Sequence, residues 1–147
     1  MFVQQRGDGD IRLVTSASDL TAASSCEFAF LRRVDLRLGR DISVPADDDP
    51  MLARAARLGD AHEERFLQHY RDVFGAAEPG TQGGVAEIPR PDSMRENDLV
   101  AVAEASLAAL KSGAEVVFQA TFFDPSQRAG DPKARDPEIG FIGFADF

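Results

Sequence analysis

The sequence is poor in cysteine, in long apolar runs and in basic residues. It contains one cysteine, which excludes an internal disulfide and suits a reducing interior. No stretch approaches the roughly 18–20 consecutive apolar residues that a membrane helix needs. The N-terminal MFVQQRGDGDIRLV is too polar for a signal peptide, which requires a basic start and an apolar core. These absences predict a cytoplasmic protein without a membrane span.

Acidic residues outnumber basic ones, and this imbalance limits the kinds of partner. The chain has 25 Asp and Glu against 16 Lys and Arg, a net charge of −9. Affinity for nucleic acid comes largely from Lys and Arg side chains that neutralise phosphates. The composition therefore excludes a general polyanion binder, and contact with DNA requires a local basic patch or bridging metal ions.

Helical patterns are the clearest signals in the chain. At 147 residues and 44% hydrophobic content, with 11 Phe, the chain is long and apolar enough for the packed core of one domain or a large part of one. Apolar spacing predicts helices over 16–38, from near Pro50 through MLARAARLGDAHEERFLQHYRDVFG, and over roughly 93–112. Ser16 and Asp19 have the spacing of a capping box, and Gly39 is expected to end the first helix.

Strand patterns complete the predicted fold. Residues 1–15 indicate a short strand or arm, 85–88 a short strand, and EVVFQATFF and GFIGFADF two further strands. Nothing helical lies between the last two, so they are expected to pair antiparallel. The prediction is an α/β protein (α+β-like) with helices packed on a mixed sheet that begins with an antiparallel hairpin.

Asp146 is the most unusual polar residue. It falls on the same side of the terminal strand as Ile142 and Phe144, a side expected to be covered. An unpaired carboxylate there is protonated or destabilising. Two interpretations stay open: a ligand to a hard divalent cation such as Mg²⁺, or a strand-end aspartate that reaches water or caps a following turn.

His62 lies on the predicted apolar face of its helix, between Gly59 and Phe66. A glycine inside a helix costs about 1 kcal/mol relative to alanine, and close approach of a backbone or a ligand is one reason to tolerate it. His62 is either a buried histidine held by one hydrogen bond or a ligand. His69 lies off this face and is expected to be solvated.

Cys26 and three polar residues at strand ends are weaker candidates. Cys26 falls on the apolar face of the first predicted helix, as a small buried hydrophobic residue does. An iron–sulfur cluster needs several more thiolates than the sequence contains. Glu87, Glu115 and Gln119 are candidates for lining a site, although exposed charges and a sheet-edge amide are the default interpretation.

Three segments occur in a particular order: SASDLTAASSCEFAFLRR, LGDAHEERFLQHY, and VFQATFFD followed by GFIGFADF. This order resembles the opening part of the RecB-like nucleases of the PD-(D/E)XK superfamily, which include CRISPR-associated RecB-type exonucleases. Gly59 and His62 match a helical G-x-x-H motif of that family, and Gly143 and Asp146 match a strand motif, G-x-x-D. The resemblance implies a restriction-endonuclease-like fold of which 1–147 is the N-terminal portion.

The resemblance also implies roles. His62 and Asp146 would be catalytic metal ligands for Mg²⁺ or Mn²⁺, with an acid from a following D/E-x-K strand whose lysine orients or activates the attacking water. The substrate would be DNA, cleaved by phosphodiester hydrolysis, as in an exonuclease of DNA repair or processing. A fused or associated helicase would supply the basic DNA track.

The sequence departs from the family pattern in two ways. No D/E-x-K motif follows Asp146, so we expect a single nuclease domain truncated before that strand and inactive by itself. Cys26 would be the first of four cysteines of a 4Fe-4S cluster, which only a longer parent could bind. Two alternatives remain: a non-catalytic acidic protein-interaction domain, and a degenerate nuclease fold that binds DNA without cutting it.

Overall fold

The computed structural model describes residues 1–5, 11–43, 50–78, 82–127 and 138–147. Within these residues the chain forms four helices and six strands. In chain order they are β1 (Phe2–Gln5), β2 (Ile11–Ser16), α1 (Ala17–Ser25), α2 (Glu27–Arg37), α3 (Pro50–Phe74), β3 (Val85–Glu87), α4 (Glu96–Ser112), β4 (Val116–Phe118), β5 (Ala120–Gln127) and β6 (Glu138–Ala145). None of the helices in these residues has the length and apolar character needed to cross a membrane.

The chain divides into two compact units. Unit 1 consists of Met1–Pro45, Pro91–Val100 and Phe122–Gly143. Unit 2 consists of Ala46–Arg90, Ala101–Thr121 and Phe144–Phe147. The division falls inside α4, β5 and β6, so each of these elements contributes residues to both units.

The predicted mixed sheet with an antiparallel start is confirmed. Four strands are ordered β1-β2-β6-β5, in which β1 pairs antiparallel with β2 and β2 pairs parallel with β6. The expected antiparallel pairing of β5 with β6 also agrees with the contacts. A β-carbon at Gly140 would lie 3.3 Å from the carbonyl oxygen of Asp124, and one at Gly143 would lie 3.9 Å from Cβ of Phe122. The two strands therefore run in opposite directions. A second sheet pairs β3 with β4 in parallel.

Unit 1 encloses both an apolar core and a polar network. Its core cluster consists of Val14, Leu99 and Ile142, with Phe2 and Phe123 packed against it. Leu99, rather than Val100, is thus the inward residue at the start of α4.

The polar network of unit 1 is centred on the buried Arg12 side chain. Nη1 of Arg12 donates to Oε2 of Glu96 at 2.8 Å and to Oε1 of Gln4 at 3.2 Å. The Gln4 amide in turn donates to the carbonyl oxygen of Met94 at 2.8 Å. The network fixes the edge hairpin of the sheet to the segment that leads into α4.

The first helical segment differs from the prediction. The capping box is present, with the Asp19 carboxylate 2.9 Å from the backbone nitrogen of Ser16, but the segment is two helices that meet at Cys26. Cys26 has extended backbone angles, φ −157° and ψ 96°. The hydroxyls of Ser24 and Ser25 both donate to the carbonyl oxygen of Thr21, at 2.8 and 2.9 Å. Such bonds compete with the backbone ladder and favour a helix end.

Unit 2 has two small apolar clusters. One consists of Leu67, Val85 and Phe118, and the other of Ile88, Val117 and Ala120. Ser106 on α4 is completely buried, and its Oγ accepts a hydrogen bond from the backbone nitrogen of Thr121 at 2.9 Å. The inward face of α4 in this unit therefore includes a serine, whereas Leu107 and Leu110, which its helical apolar spacing would place inward, are exposed.

The predicted buried face of α3 is wrong. Only Leu67 is buried along the whole helix, at 2% exposure. Leu52, on the apolar face near the start of the helix, and His62 and Phe66 further along it are exposed. The helix is amphipathic, but within the described residues the rest of unit 2 covers it only near its C-terminal end.

Candidate functional site

Asp146 directly follows β6, and its side chain is exposed. Its carbonyl oxygen accepts a hydrogen bond from the backbone nitrogen of Gln119 at 3.1 Å. The expected covered position is wrong, because Ile142 is 3% exposed whereas Phe144 is 53% exposed. This side of β6 is covered at Ile142 but no longer at Phe144, so the interpretation of a strand-end aspartate that reaches water describes its position. Nothing in this position prevents the carboxylate from binding a ligand.

His62 is also exposed, which corrects the expectation that it lies on a buried face. Its ring centroid is 4.6 Å from that of Phe66, and Nδ1 lies 3.4 Å from Nη2 of Arg65. A β-carbon at Gly59 would meet no described atom within 4 Å. The glycine one turn before His62 therefore borders open space in the described part of the chain, and no described backbone approaches it closely.

An aromatic row in unit 2 connects α3, which carries His62, to the residues after β6, which include Asp146. We define the row as Phe66, Tyr70 and Phe147, with centroid separations of 6.2 Å between the first two rings and 5.4 Å between the last two. The Phe147 ring also lies 5.1 Å from that of Phe118. The residue after Asp146 is thereby packed on α3.

The aromatic row also locates the two candidate ligands relative to its rings. His62 precedes Tyr70 by eight residues on α3, which corresponds to roughly 12 Å along the helix axis. His62 therefore lies at one end of the row and the Asp146–Phe147 segment at the other. The structure places both candidates at the surface of one unit without packing their side chains against each other.

The donor atoms of these residues suit a divalent cation in type but not in number. Carboxylate oxygens are preferred by Mg²⁺ and Mn²⁺, and imidazole is an accepted ligand of transition metals. Among the described residues, however, no group of three or more His, Cys, Asp or Glu side chains could hold a metal ion. His62 and Asp146 alone do not make a complete metal centre.

An ion pair that the sequence did not reveal lies beside the aromatic row. Nε and Nη2 of Arg71 each donate to a Glu87 carboxylate oxygen at 2.7 Å, and Oε1 of Glu64 is 3.6 Å from Nη1 of Arg71. The hydrogen bonds from Arg71 hold the pKa of Glu87 below its usual value. The same bonds raise the pKa of Arg71. Sixteen positions separate the two residues, so no local pattern could have predicted the pair.

Gln119 separates β4 from β5 and corrects the prediction of one continuous strand over EVVFQATFF. Its φ is +58°, and it is the one non-glycine residue with positive φ in the described part of the chain. A left-handed backbone costs a side-chain-bearing residue about 1–2 kcal/mol. The left-handed backbone at Gln119 redirects the chain between the two strands, so that β4 pairs with β3 while β5 pairs with β6.

Cys26 is exposed and belongs to unit 1, whereas His62, Gln119 and Asp146 belong to unit 2. The expected burial of Cys26 on an apolar face is therefore wrong. The sequence has no second cysteine, so its residues cannot hold a 4Fe-4S cluster.

The chain matches no protein-family model, no curated protein and no solved structure.

Proposed function

We propose that this chain belongs to a metal-dependent deoxyribonuclease that acts on DNA in the cytoplasm. The reaction is phosphodiester hydrolysis, as in an exonuclease of DNA repair or processing. One observation carries the proposal: the G-x-x-H motif ending at His62 and the G-x-x-D motif ending at Asp146 occur in the family's order. Both residues also belong to the same compact unit, with exposed side chains.

The donor types of His62 and Asp146 suit a partial metal site, whereas their pairing rests on the family motifs, because the two residues lie at opposite ends of the aromatic row. His62 and Asp146 would hold Mg²⁺ or Mn²⁺ together with an acidic ligand from the D/E-x-K strand that the resemblance assigns after β6. When bound, the ion would stabilise the charge that develops on the phosphate oxygens. The Gln119 backbone nitrogen, 3.1 Å from the Asp146 carbonyl oxygen, holds the end of β6 in place.

The net charge of −9 makes metal ions more important for this proposal. An acidic protein repels the phosphate backbone, and a bound divalent cation reverses the sign of the charge locally. A fused or associated helicase would supply the basic surface along which the rest of the DNA is held.

Substitution of Asp146 in the full-length protein tests the proposal. Asp146→Asn should lower Mg²⁺- or Mn²⁺-dependent cleavage of end-labelled single- and double-stranded DNA by at least about a hundredfold. Thermal stability should be unchanged, because the side chain is exposed. Asp60→Asn, which alters an exposed acid on α3, is the matched control. Unchanged cleavage in Asp146→Asn would refute the assignment.

A second candidate function rests on the exposed apolar residues of α3. Met51, Leu52 and Leu58 are all more than half exposed. Such residues on an acidic protein are typical of a helix that binds another protein. A complete protein that neither cleaves DNA nor binds it would support a non-catalytic interaction domain. Salt-dependent DNA binding without cleavage would instead support a degenerate nuclease fold.

A further inference from the structure

Gln119 combines backbone strain with proximity to the candidate site. It has φ +58°, and its backbone nitrogen donates to the carbonyl oxygen of Asp146 at 3.1 Å. Both flanking residues, Phe118 and Ala120, are buried. Backbone strain of this kind clusters at ligand-binding and catalytic positions, where it holds a side chain in a defined direction.

The backbone geometry does not require glutamine. Glycine adopts a left-handed backbone without steric cost, and asparagine tolerates it better than most residues. The hydrogen bond to Asp146 uses only the backbone nitrogen, which glycine also has. The strain is therefore associated with the presence of the Gln119 side chain, not with the turn itself.

The Gln119 carboxamide is placed so that a ligand can reach it. The residue is partly exposed, and within the described part of the chain its amide group makes no hydrogen bond. Its main chain lies beside that of Asp146, whose exposed carboxylate also lacks a hydrogen-bond partner there. The side chains of Gln119 and Asp146 thus both lack a hydrogen-bond partner among the described residues. Their main chains are hydrogen-bonded to each other at the ends of two strands.

We propose that the Gln119 carboxamide binds the substrate, by donating a hydrogen bond from its NH₂ group to a phosphate oxygen of the nucleotide next to Asp146. This inference rests on the proposed nuclease function and adds a substrate-binding residue to it. An amide suits this role in an acidic chain, because it is a neutral donor and does not add repulsion toward the phosphate.

The competing explanation is that Gln119 only turns the chain between β4 and β5. Gln119→Gly separates the two, because it keeps the turn and the backbone nitrogen and removes only the side chain. A turn-only role predicts equal or higher thermal stability and unchanged activity. Substrate binding predicts the same stability together with a clear loss of DNA affinity.

The experiment uses the full-length protein and a fluorescein-labelled single-stranded oligonucleotide. Binding is measured by anisotropy with Ca²⁺ in place of Mg²⁺, and cleavage is measured with Mg²⁺. We expect Gln119→Gly to weaken binding and to raise KM about tenfold, which corresponds to the loss of one hydrogen bond to a charged group. Gln119→Asn, which keeps a carboxamide and tolerates the left-handed backbone, should recover part of the loss. Gln68→Ala removes an exposed amide on α3 and should have no effect.

The outcomes separate this inference from the proposed function. If Asp146→Asn abolishes cleavage while Gln119→Gly binds and cleaves as the wild type does, the nuclease function stands and the role of Gln119 is refuted. Equal losses in Gln119→Gly and Gln119→Asn, with lower melting temperatures in both, would show that the Gln119 side chain supports the fold and not the substrate, and would also refute it. A full-length wild-type protein that neither binds nor cleaves DNA overturns both proposals.

Discussion

The two compact units differ in the kind of polar residue that they bury. Unit 1 buries long polar and charged side chains, among them Gln4, Arg12 and Asp35, and each has partners within the unit. Among the described residues of unit 2, the buried polar residues are the small hydroxyl residues Ser106 and Thr121. Its charged and ring-nitrogen groups, including His62, Arg71, Glu87 and Asp146, are at least partly exposed.

This difference distinguishes structural polar groups from those available to a ligand. A buried charge costs several kcal/mol unless it is paired, so the polar residues of unit 1 are committed to holding the fold. An exposed carboxylate or imidazole makes little contribution to stability and remains free to bind. The candidate site therefore belongs to unit 2, where the exposed polar residues contribute little to stability.

The largest expected effect is on the apolar interior of unit 2. Leu67→Ala should lower the free energy of unfolding by about 2–5 kcal/mol, because it leaves a cavity among Val85 and Phe118. Urea unfolding measures this loss. Leu58→Ala, on the same helix but 63% exposed, should stay within about 0.5 kcal/mol of the wild type. Equal losses in the two variants would contradict the description of unit 2.

The buried network of unit 1 should show the next largest effect. Glu96→Gln replaces the carboxylate that lies 2.8 Å from the buried Arg12 guanidinium by a neutral amide. We expect a loss of about 1–3 kcal/mol in the free energy of unfolding, because a charge-assisted hydrogen bond to a buried cation is weakened. Glu104→Gln, at an exposed position of α4, is the control. A loss no greater than that of the control would show that the network is not structural.

Substitution of His62 tests whether an exposed polar residue of unit 2 binds the metal ion. In the full-length protein, His62→Ala should raise the Mn²⁺ concentration required for half-maximal cleavage by about tenfold, with stability unchanged. Metal titration of cleavage measures the shift. His69→Ala changes the other exposed histidine of α3 and should titrate as the wild type does. A normal titration in His62→Ala would argue against its role as a ligand.

The exposed pair of Arg71 and Glu87 should give the smallest effect, and one that depends on pH. Because hydrogen bonds from Arg71 hold the pKa of Glu87 below its ordinary value of 4.5, the pair stabilises the folded state above that pH. The stabilisation is lost as pH falls through the lower, folded-state pKa.

Melting temperatures of the wild type and Glu87→Gln, compared from pH 7 to pH 3, measure this contribution. The variant should melt a few degrees lower at most at pH 7, and the difference should vanish in acid. Glu115→Gln, at an exposed position with no ion pair among the described residues, is the control. A difference that grows toward acid would have the wrong sign for a lowered pKa.

Local signals predicted the bounds of most elements. Pro50 begins α3 and Gly75, at φ +73°, follows its last residue, because proline suits the first helical turn and glycine the left-handed residue after the end. The capping box of Ser16 and Asp19 marks the start of α1 for similar local reasons.

Two breaks inside predicted elements were missed, and their causes differ. The break at Cys26 has a local signal in retrospect, since the hydroxyls of Ser24 and Ser25 bond back to Thr21. The reversal at Gln119 has none, because glutamine carries no preference for a left-handed backbone. That reversal follows from the pairing of β4 and β5 with different strands.

By itself the sequence determined the helix ends apart from those at Cys26, the alternation of the strands and the order of the motifs that end at His62 and Asp146. These depend on interactions between residues a few positions apart. Only the tertiary structure decided which apolar face is covered and which polar groups are paired. It left most of α3 exposed, placed Glu87 against Arg71, and set Gln119 beside Asp146. Burial and pairing depend on residues that are distant in sequence, and periodicity carries no information about which partner will cover a face.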